Sequence, residues 1–390
     1  EYLRPALIET IKPNHSDFPK LYNLLIAAWG GNAAVAIAFL AASMFVNRIK
    51  PVIKFFPFLS MHGDPQTGKS RLLMILNQMQ CLDEEGIPMS SANTKKGELR
   101  TLAQVSGMMK GLIEGNDPTK SRFDFESILP LYNHGNPLQV RALTTNDNRI
   151  NKMAFHGTIA FAQNLEPFRS RAAKERIISL KFSIDDLNDQ TKAAFERLCS
   201  ISPQEYAGFL VILTHRILIE GTWETKFKEA KADLLQEIQD NRINENHALI
   251  LAFHRLLCDI FNFDHDLLPF ITKIGKAKMI SCQQRTLTAA DYFFDALNEV
   301  PEEIKGVEDL DYSENKNTFF EIRDNYIYLN RPGAEKAIRA AGMILDYPER
   351  IGASLQQHPA FVKGMVSHRF PGNKDKVIRA LVFDIRRMND

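Results

Sequence analysis

The eight residues from Gly63 to Ser70 read Gly-Asp-Pro-Gln-Thr-Gly-Lys-Ser and fit the spacing G-x-x-x-x-G-K-S. Loops of this pattern turn their backbone N–H groups inward and surround the phosphates of a nucleotide. The two glycines permit the tight turn, Lys69 reaches the β- and γ-phosphates, and the Ser70 hydroxyl binds Mg²⁺. A glycine-rich turn without a ligand is the alternative. The sequence predicts that all eight residues bind ATP: Gly63, Asp64, Pro65, Gln66, Thr67, Gly68, Lys69 and Ser70.

An acidic residue, Glu114, follows the next apolar run, Met108–Ile113. A carboxylate at this place in an ATP-hydrolysing enzyme holds Mg²⁺ through water or polarises the attacking water. Ser70 and Glu114 are therefore the predicted metal ligands. A second acid, Asp117, follows three residues later and not directly beside Glu114, so the division of work between the two carboxylates stays open. The alternative is that Glu114 only ends a strand.

A polar residue, Asn164, closes another apolar run, Thr158–Ala162. A polar side chain at the tip of a central strand can orient the water that attacks the γ-phosphate. The alternative is an ordinary loop asparagine. Its position after the glycine-rich loop and after Glu114 favours the catalytic interpretation.

Three arginines, Arg169, Arg171 and Arg176, follow closely along the chain. In a ring-shaped ATPase, an arginine of one subunit can reach the nucleotide of its neighbour and neutralise charge in the transition state. Arg176 directly precedes the apolar run Ile177–Phe182 and is the preferred candidate. The alternative is a solvated basic helix face.

Positive charge is concentrated in residues 141–180, which hold seven Lys and Arg against three Asp and Glu, whereas the whole chain has 48 against 47. The runs Val140–Thr145 and Met153–Phe161 predict a β-hairpin whose turn carries Asn148, Arg149 and Lys152. A basic hairpin inside a ring can follow a nucleic-acid backbone electrostatically. We therefore predict that these three residues bind DNA, with an ordinary exposed hairpin as the alternative.

Alternating strand and helix patterns surround these residues. A strand over 53–60 precedes the glycine-rich loop, a helix over 71–79 follows it, and further strands are predicted at 108–113 and 177–182. The pattern is typical of an α/β core with a mainly parallel sheet flanked by helices. We predict four parts: an N-terminal helical segment (1–50), the P-loop core (51–182), a helical domain (183–265) and a C-terminal α+β domain (266–390).

The composition, 45% apolar and 24% charged residues in 390, is typical of a globular protein. Residues 24–46 are uncharged and long enough to span a bilayer, but Trp29-Gly30-Gly31-Asn32 interrupts them. We predict two packed helices joined by a Gly-Gly turn, and no membrane partner.

The four cysteines form no C-x-x-C pair, and we expect a reducing cytoplasmic location. The chain starts without Met, so a piece of a longer protein is expected.

Four segments together resemble superfamily 3-type AAA+ helicases: Phe-Leu-Ser-Met-His-Gly leading into the glycine-rich loop, Gly-Leu-Ile-Glu-Gly-Asn-Asp at 111–117, the hairpin, and Gly-Thr-Ile-Ala-Phe-Ala-Gln-Asn at 157–164. The resemblance covers residues 20–182 and is strongest to replicative helicases of phages and mobile genetic elements, often fused to a primase. It implies Walker A at Gly63–Ser70, Walker B at Glu114, sensor 1 at Asn164 and a pre-sensor-1 hairpin around Asn146–Lys152.

Residues 173–177, Ala-Lys-Glu-Arg-Ile, also resemble the arginine-finger segment of MCM-type helicases, which favours Arg176. The family forms rings that are usually hexamers. The resemblance therefore implies a homohexameric, ATP- and Mg²⁺-dependent helicase or translocase on single-stranded or forked DNA, with a primase or initiator as partner. The predicted catalytic residues are Lys69, Glu114, Asn164 and Arg176.

The C-terminal residues 351–390 hold seven Lys and Arg against three Asp. Helices followed by a turn at 372–375 and a strand at 377–383 fit a winged helix, which could contact DNA phosphates or hold protein partners. Another AAA+ machine, such as a protein remodeller or a transcription activator, is an alternative function for the whole chain. A P-loop scaffold without unwinding activity is another.

Overall fold

The computed structural model describes residues 7–8, 10, 17–89, 102, 107–114, 128–137, 139–142, 150–153, 155–164, 166, 171–283, 289–301, 319–341, 348–373 and 375–388. The chain divides into two compact units, residues 1–284 and 285–390. The finer domain boundaries expected after residues 50, 182 and 265 all fall inside the first unit and stay predictions.

The first unit begins with helices and continues with alternating strands and helices. In chain order its described elements are α1 (Phe18–Trp29), α2 (Gly31–Ser43), α3 (Val46–Ile53), β1 (Phe58–Gly63), α4 (Lys69–Met79), β2 (Ile87–Met89), β3 (Met109–Glu114), β4 (Gln139–Ala142), β5 (Ile150–Met153), β6 (Thr158–Ala162), α5 (Arg171–Lys174), β7 (Ile177–Phe182), α6 (Asp189–Cys199), α7 (Pro203–Ala207), α8 (Arg216–Leu235), α9 (Asn241–Phe261) and α10 (Leu268–Gln283).

Five of these strands form one parallel sheet in the order β2-β3-β6-β1-β7. Side chains alternate between its two faces, as the pleat of a strand requires. Leu59 and Leu180 belong to the main core with α2, α4 and α9, whereas Phe58 and Ile177 pack on the other face with Tyr132. Both faces are apolar, which fits a parallel sheet covered on both sides.

The charge-free N-terminal stretch forms α1 and α2, joined at Gly30, whose φ is +56°. This confirms the two helices and the Gly-Gly turn expected from the sequence. Alanine suits α2 because it is the strongest helix former and lets neighbours approach closely. Among the described residues no single helix is both long and apolar enough to cross a membrane. Helices α2 and α3 reach that length and composition only when taken together, and they are bent by 85° at the break between them. The residues of α2 from Asn32 to Ser43 are all buried in the fold.

Two predicted strand boundaries are wrong. The strand before the glycine-rich loop starts at Phe58 and not at residue 53, because α3 continues to Ile53 and ends at Lys54 in the left-handed region, φ +70°. The apolar run 153–161 was expected to be one hairpin strand, but it contains parts of two strands, β5 of the hairpin and β6 of the main sheet. The chain joins the main sheet after Gly157, where an added Cβ would lie 2.6 Å from the Met108 carbonyl.

The described residues of the second unit contain three α-helices and four strands. They are α11 (Ala289–Glu299), β8 (Phe320–Arg323), β9 (Tyr326–Leu329), α12 (Arg331–Ala340), α13 (Pro348–Gln357), β10 (Phe361–His368) and β11 (Ile378–Asp384). The strands form an antiparallel sheet in the order β10-β11-β9-β8. Phe294, Leu329, Ile338 and Phe383 belong to its own apolar core.

Candidate nucleotide-binding site

The glycine-rich loop leaves the carboxyl end of β1, between β6 and β7. The Gly63 N–H donates to the Asn164 carbonyl at 3.1 Å, and the Asp64 N–H donates to the Phe182 carbonyl at 3.0 Å. The Asp64 carboxylate in turn accepts the Ile184 N–H at 2.9 Å. The first two loop residues are therefore fixed to both neighbouring strands of the sheet.

Both glycines of the loop occupy backbone conformations that favour glycine. Gly63 has φ +128°, and a Cβ there would lie 2.0 Å from the Phe182 carbonyl oxygen. Gly68 has φ +84°, and a Cβ there would lie 2.8 Å from the Trp29 Nε1. A side chain at either position would clash with its neighbours, in addition to the backbone strain. The spacing of the two glycines is thus explained by the conformation of the loop.

Lys69, the first residue of α4, directs its ammonium group back into the loop. Its Nζ donates to the Gly63 carbonyl at 2.9 Å and to the Thr67 hydroxyl at 3.3 Å, and also to the Asp64 carbonyl. The residue is only 5% exposed. A positive charge is thus held among oxygen acceptors inside the loop, where the phosphate oxygens of a nucleotide could take their place.

Ser70 is exposed in the first turn of α4. The N–H groups of a first helical turn have no acceptor within their own helix, and the helix dipole adds positive potential there. Both features favour an anion at this position. The loop and the start of α4 therefore offer N–H groups, a hydroxyl and an ammonium to one ligand.

The register of the sheet brings the other two predicted catalytic positions to the same edge. Ile113 pairs with Ala162, and Ala162 pairs with Met61, so β3, β6 and β1 end side by side. Glu114 is the last residue of β3 and Asn164 follows β6 by two residues. The side chain of Glu114 and all of Asp117 lie outside the described residues. The sheet thus brings the backbones of Glu114 and Asn164 to the edge where the loop begins.

Arg176 lies at the opposite end of the sheet. Its carbonyl accepts the Phe58 N–H at 3.1 Å, at the start of β1 and β7, whereas Gly63 pairs with Phe182 at their far ends. Six residues of strand span about 20 Å. Arg176 therefore lies away from the glycine-rich loop of its own chain.

The surroundings of Arg176 fix its direction. Its guanidinium lies over the Tyr132 ring, 5.6 Å from the centroid, and donates to the Ala172 carbonyl. The adjacent Glu175 pairs with Arg171 at 2.7 Å and with Arg242 of α9 at 2.6 Å. Arg169 lies outside the described residues.

The predicted basic hairpin exists as the antiparallel pair β4–β5, with Val140 opposite Lys152. The structure describes the backbone of Lys152. Asn148 and Arg149 lie outside the described residues, so the DNA-binding role of the tip stays a prediction.

A buried polar cluster beside the loop was not found from the sequence. Lys278 of α10 donates to the Glu166 carboxylate at 2.7 Å and to the Ser179 hydroxyl at 2.5 Å. Burial alone raises the pKa of Glu166, but the charge and hydrogen bond of Lys278 outweigh it and hold that pKa below its ordinary value. Burial lowers the pKa of the neighbouring His62. The separation of Glu166 and Lys278 by 112 positions explains why no sequence pattern predicts the pair.

These residues line a cavity of about 820 Å³ together with Thr67 of the loop and Trp29. The sequence pattern assigns Trp29 only to the break between two apolar stretches. In the structure its indole N–H donates to the Thr67 carbonyl at 3.1 Å. The α1–α2 turn thus lines this cavity and contacts the glycine-rich loop.

No protein-family model and no curated protein matches the chain. Among solved structures, the chain is similar to one described as "SCCmec type IV Cch - active helicase", with a TM-score of 0.54 and 13% identity over 98% of this chain and 72% of that one. The two chains share a fold. A structure of the NrS-1 C-terminal region gives a TM-score of 0.32 at 13% identity, over 98% of this chain and 83% of that one, which is too low to support an argument.

Proposed function

We propose that this chain is the ATP-hydrolysing core of a DNA helicase or translocase of the superfamily 3 type within the AAA+ ATPases. The observation that carries the proposal is the position of Lys69, whose buried ammonium group lies among the Gly63 carbonyl, the Asp64 carbonyl and the Thr67 hydroxyl. A lysine held this way in a glycine-rich loop suits the phosphates of ATP. The fold shared with a solved helicase supports the same function.

Each residue at this edge of the sheet has a proposed role. Lys69 and the N–H groups of the loop bind the β- and γ-phosphates, and the Ser70 hydroxyl and Glu114 hold Mg²⁺. The bound Mg²⁺ neutralises charge on the phosphates. Asn164, whose carbonyl is bonded to the Gly63 N–H at 3.1 Å, orients the attacking water. This hydrogen bond supports a direct link between Asn164, the proposed sensor of the γ-phosphate, and the loop proposed to bind the phosphates.

We propose that ATP is hydrolysed between subunits of a ring, most simply a homohexamer. Support comes from the position of Arg176 at the start of β7, about 20 Å of strand away from the P-loop of its own chain. An arginine placed there serves a nucleotide only if the nucleotide belongs to a neighbour. Its contact with Tyr132 and the pairing of Glu175 with two arginines support a fixed direction for this side chain.

We propose that the hairpin β4–β5 binds single-stranded DNA in the pore of the ring through Asn148, Arg149 and Lys152. The hairpin directly precedes β6, the strand that leads to Asn164. This short connection supports a coupling in which the state of the γ-phosphate shifts the hairpin along the DNA strand. A role in replicating a phage or mobile element, with a primase or initiator as partner, completes the proposal.

Unwinding of a forked DNA tests the proposed function. The wild-type chain with ATP and Mg²⁺ should release the labelled strand, and Lys69→Ala should not. Hydrolysis of ATP without strand release, on forks with either a 5′ or a 3′ tail, would favour another AAA+ machine. Absence of both activities in a folded protein would favour a P-loop scaffold.

A further inference from the structure

The indole of Trp29 contacts the glycine-rich loop at one peptide group. Its Nε1–H donates to the Thr67 carbonyl at 3.1 Å. A Cβ added to Gly68 would lie 2.8 Å from the same Nε1 and 3.1 Å from Cζ2 of the ring. The indole therefore both bonds to and packs against the Thr67–Gly68 peptide.

The geometry of a trans peptide gives this contact a consequence for binding. The carbonyl of Thr67 and the N–H of Gly68 belong to one planar unit and point in opposite directions. A donor that holds the carbonyl on one side directs the N–H to the other. Gly68 has φ +84°, and glycine tolerates either sign of φ, so the residue itself does not prevent the peptide from flipping.

Trp29 is itself held in place by its surroundings. Its ring meets Phe195 of α6 edge to face, with centroids 5.9 Å apart. The amide of Asn32, which follows Trp29 by three positions, donates to the Lys181 carbonyl at 2.9 Å. Gly31 packs so tightly on Phe270 that an added Cβ would lie 2.3 Å from its ring. The turn between α1 and α2 is thus a fixed support for the indole.

We infer that Trp29 is a positioning residue for nucleotide binding, which keeps the Gly68 N–H directed at the phosphates by holding the Thr67 carbonyl. The inference rests on the proposed binding of ATP at this loop. Without the indole donor, the peptide can turn its carbonyl oxygen toward the phosphates, where like charges repel. A single hydrogen bond of this kind changes an equilibrium about two- to tenfold.

Two changes at position 29 remove the hydrogen-bond donor, and they differ in how much they alter the size of the side chain. Trp29→Phe retains an aromatic ring but is smaller. Incorporating benzothienylalanine at position 29, in a Trp223→Phe background, replaces only the indole N–H by sulfur. The chain has two tryptophans, and Trp223 packs against Phe227 in α8, so Trp223→Phe alone is the matched control.

Four proteins should be compared: the wild type, Trp29→Phe, Trp223→Phe and the benzothienylalanine protein. For each, we would measure the dissociation constants for ATP and ADP, the steady-state kinetics and the melting temperature. We expect the benzothienylalanine protein to bind both nucleotides about two- to tenfold more weakly than the control. KM should rise, kcat at saturating ATP should stay near that of the control, and the melting temperature should fall by at most about 4 °C, the shift expected from losing one hydrogen bond. In the Trp223→Phe protein, the fluorescence of Trp29 should change when ADP or ATP binds.

Unchanged affinity of the benzothienylalanine protein, in a series whose control binds ATP, overturns the role of Trp29 and leaves the proposed function standing. A fall in melting temperature and kcat with no specific change in affinity also overturns it, because Trp29 then only stabilises the fold. If the wild-type chain binds no nucleotide by calorimetry, the proposed function fails and this inference fails with it.

Discussion

At the scale of single residues, the hydrogen bonds of Lys69 give the strongest structural support for the proposed chemistry. The ammonium group of a lysine that is only 5% exposed must be hydrogen-bonded, because burying an unpaired charge costs several kcal/mol. The loop supplies its own oxygen atoms, among them the Gly63 carbonyl and the Thr67 hydroxyl. The proposed role of Lys69 therefore requires its ammonium group to exchange these oxygen atoms for phosphate oxygens when ATP binds.

We predict that Lys69→Ala abolishes ATP hydrolysis, because it removes the positive charge placed at the β- and γ-phosphates. Glu114→Gln should still bind ATP but stop turnover, because the amide does not polarise the attacking water. Nucleotide affinity and ATPase rate, measured for both proteins, check this. Lys192→Ala, at an exposed position of α6, is the control and should behave like the wild type. Near-normal turnover of Glu114→Gln would move the catalytic acid to Asp117.

His254 allows a prediction about stability and pH. Burial lowers its pKa to about 3, with a further contribution from His265. Its Nε2 lies 2.8 Å from the Tyr22 hydroxyl, which is also 3.0 Å from His265 Nδ1. The unfolded chain takes up this proton near pH 6.5, but the folded chain does so only near pH 3. The stability that neutral His254 contributes is therefore present above pH 6.5 and is lost as the pH falls toward 3.

Urea unfolding at pH 5, 6 and 7 measures this effect through tryptophan fluorescence, because Trp29 and Trp223 both lie in the first unit. The free energy of unfolding of the wild type should rise with pH over this range. The rise should be smaller in His254→Gln, by up to about 1.4 kcal/mol per pH unit. Equal slopes for the two proteins would show that His254 takes up its proton equally in both states.

At the scale of elements, the sequence predicted the parallel sheet and the places of the polar residues after β1, β3 and β6. Apolar runs of strand length and the G-x-x-x-x-G-K-S spacing are local signals. The boundary between β5 and β6 was missed because one apolar run serves two sheets. The predicted helical domain (183–265) was given no internal helix boundaries; in the structure α8 ends at Leu235, and Asp240 caps α9 by accepting the Arg242 N–H.

Contacts between distant segments were beyond sequence reasoning. The bond of Trp29 to Thr67 and the pair of Lys278 with Glu166 join residues 38 and 112 positions apart. Such pairs follow from how the helices pack on the sheet, which no local pattern encodes. The motif therefore predicts a phosphate-binding loop, but it does not predict the residues that support the conformation of this loop.

The hairpin gives a prediction at this scale. Arg149→Ala with Lys152→Ala should weaken single-stranded DNA binding equally for all sequences, because phosphate contacts do not distinguish bases. Each lost contact should flatten the slope of log K against log salt by about 0.7. Basal ATPase should survive, since the P-loop is untouched, and unwinding should be lost.

Lys192→Ala with Arg197→Ala removes two exposed charges from α6 instead and serves as the control for net charge. If the hairpin and control variants show the same affinity and salt slope, the hairpin does not bind DNA. The basic C-terminal segment would then be the next candidate.

At the scale of the whole molecule, the glycine-rich loop and Arg176 lie at opposite ends of the paired strands β1 and β7. A nucleotide site that needs both must be completed by two chains. We predict that Arg176→Ala leaves ATP binding by a single subunit intact and lowers turnover by about 10³-fold or more.

Mixing Arg176→Ala with Lys69→Ala subunits tests this arrangement, because an intact P-loop can then meet an intact Arg176 at some interfaces. Turnover of the mixture should exceed that of either variant alone. Rings that assemble but recover no activity at any mixing ratio would indicate a site completed within one chain.

The dependence of the ATPase rate on single-stranded DNA tests the central claim most directly. The wild-type chain should hydrolyse ATP with Mg²⁺, and an oligonucleotide should raise the rate to a plateau, because translocation couples each turnover to movement along the strand. Lys69→Ala should show no rate with or without DNA. The proposed DNA translocase would be contradicted if the protein binds the oligonucleotide but its ATPase rate stays the same at every DNA concentration.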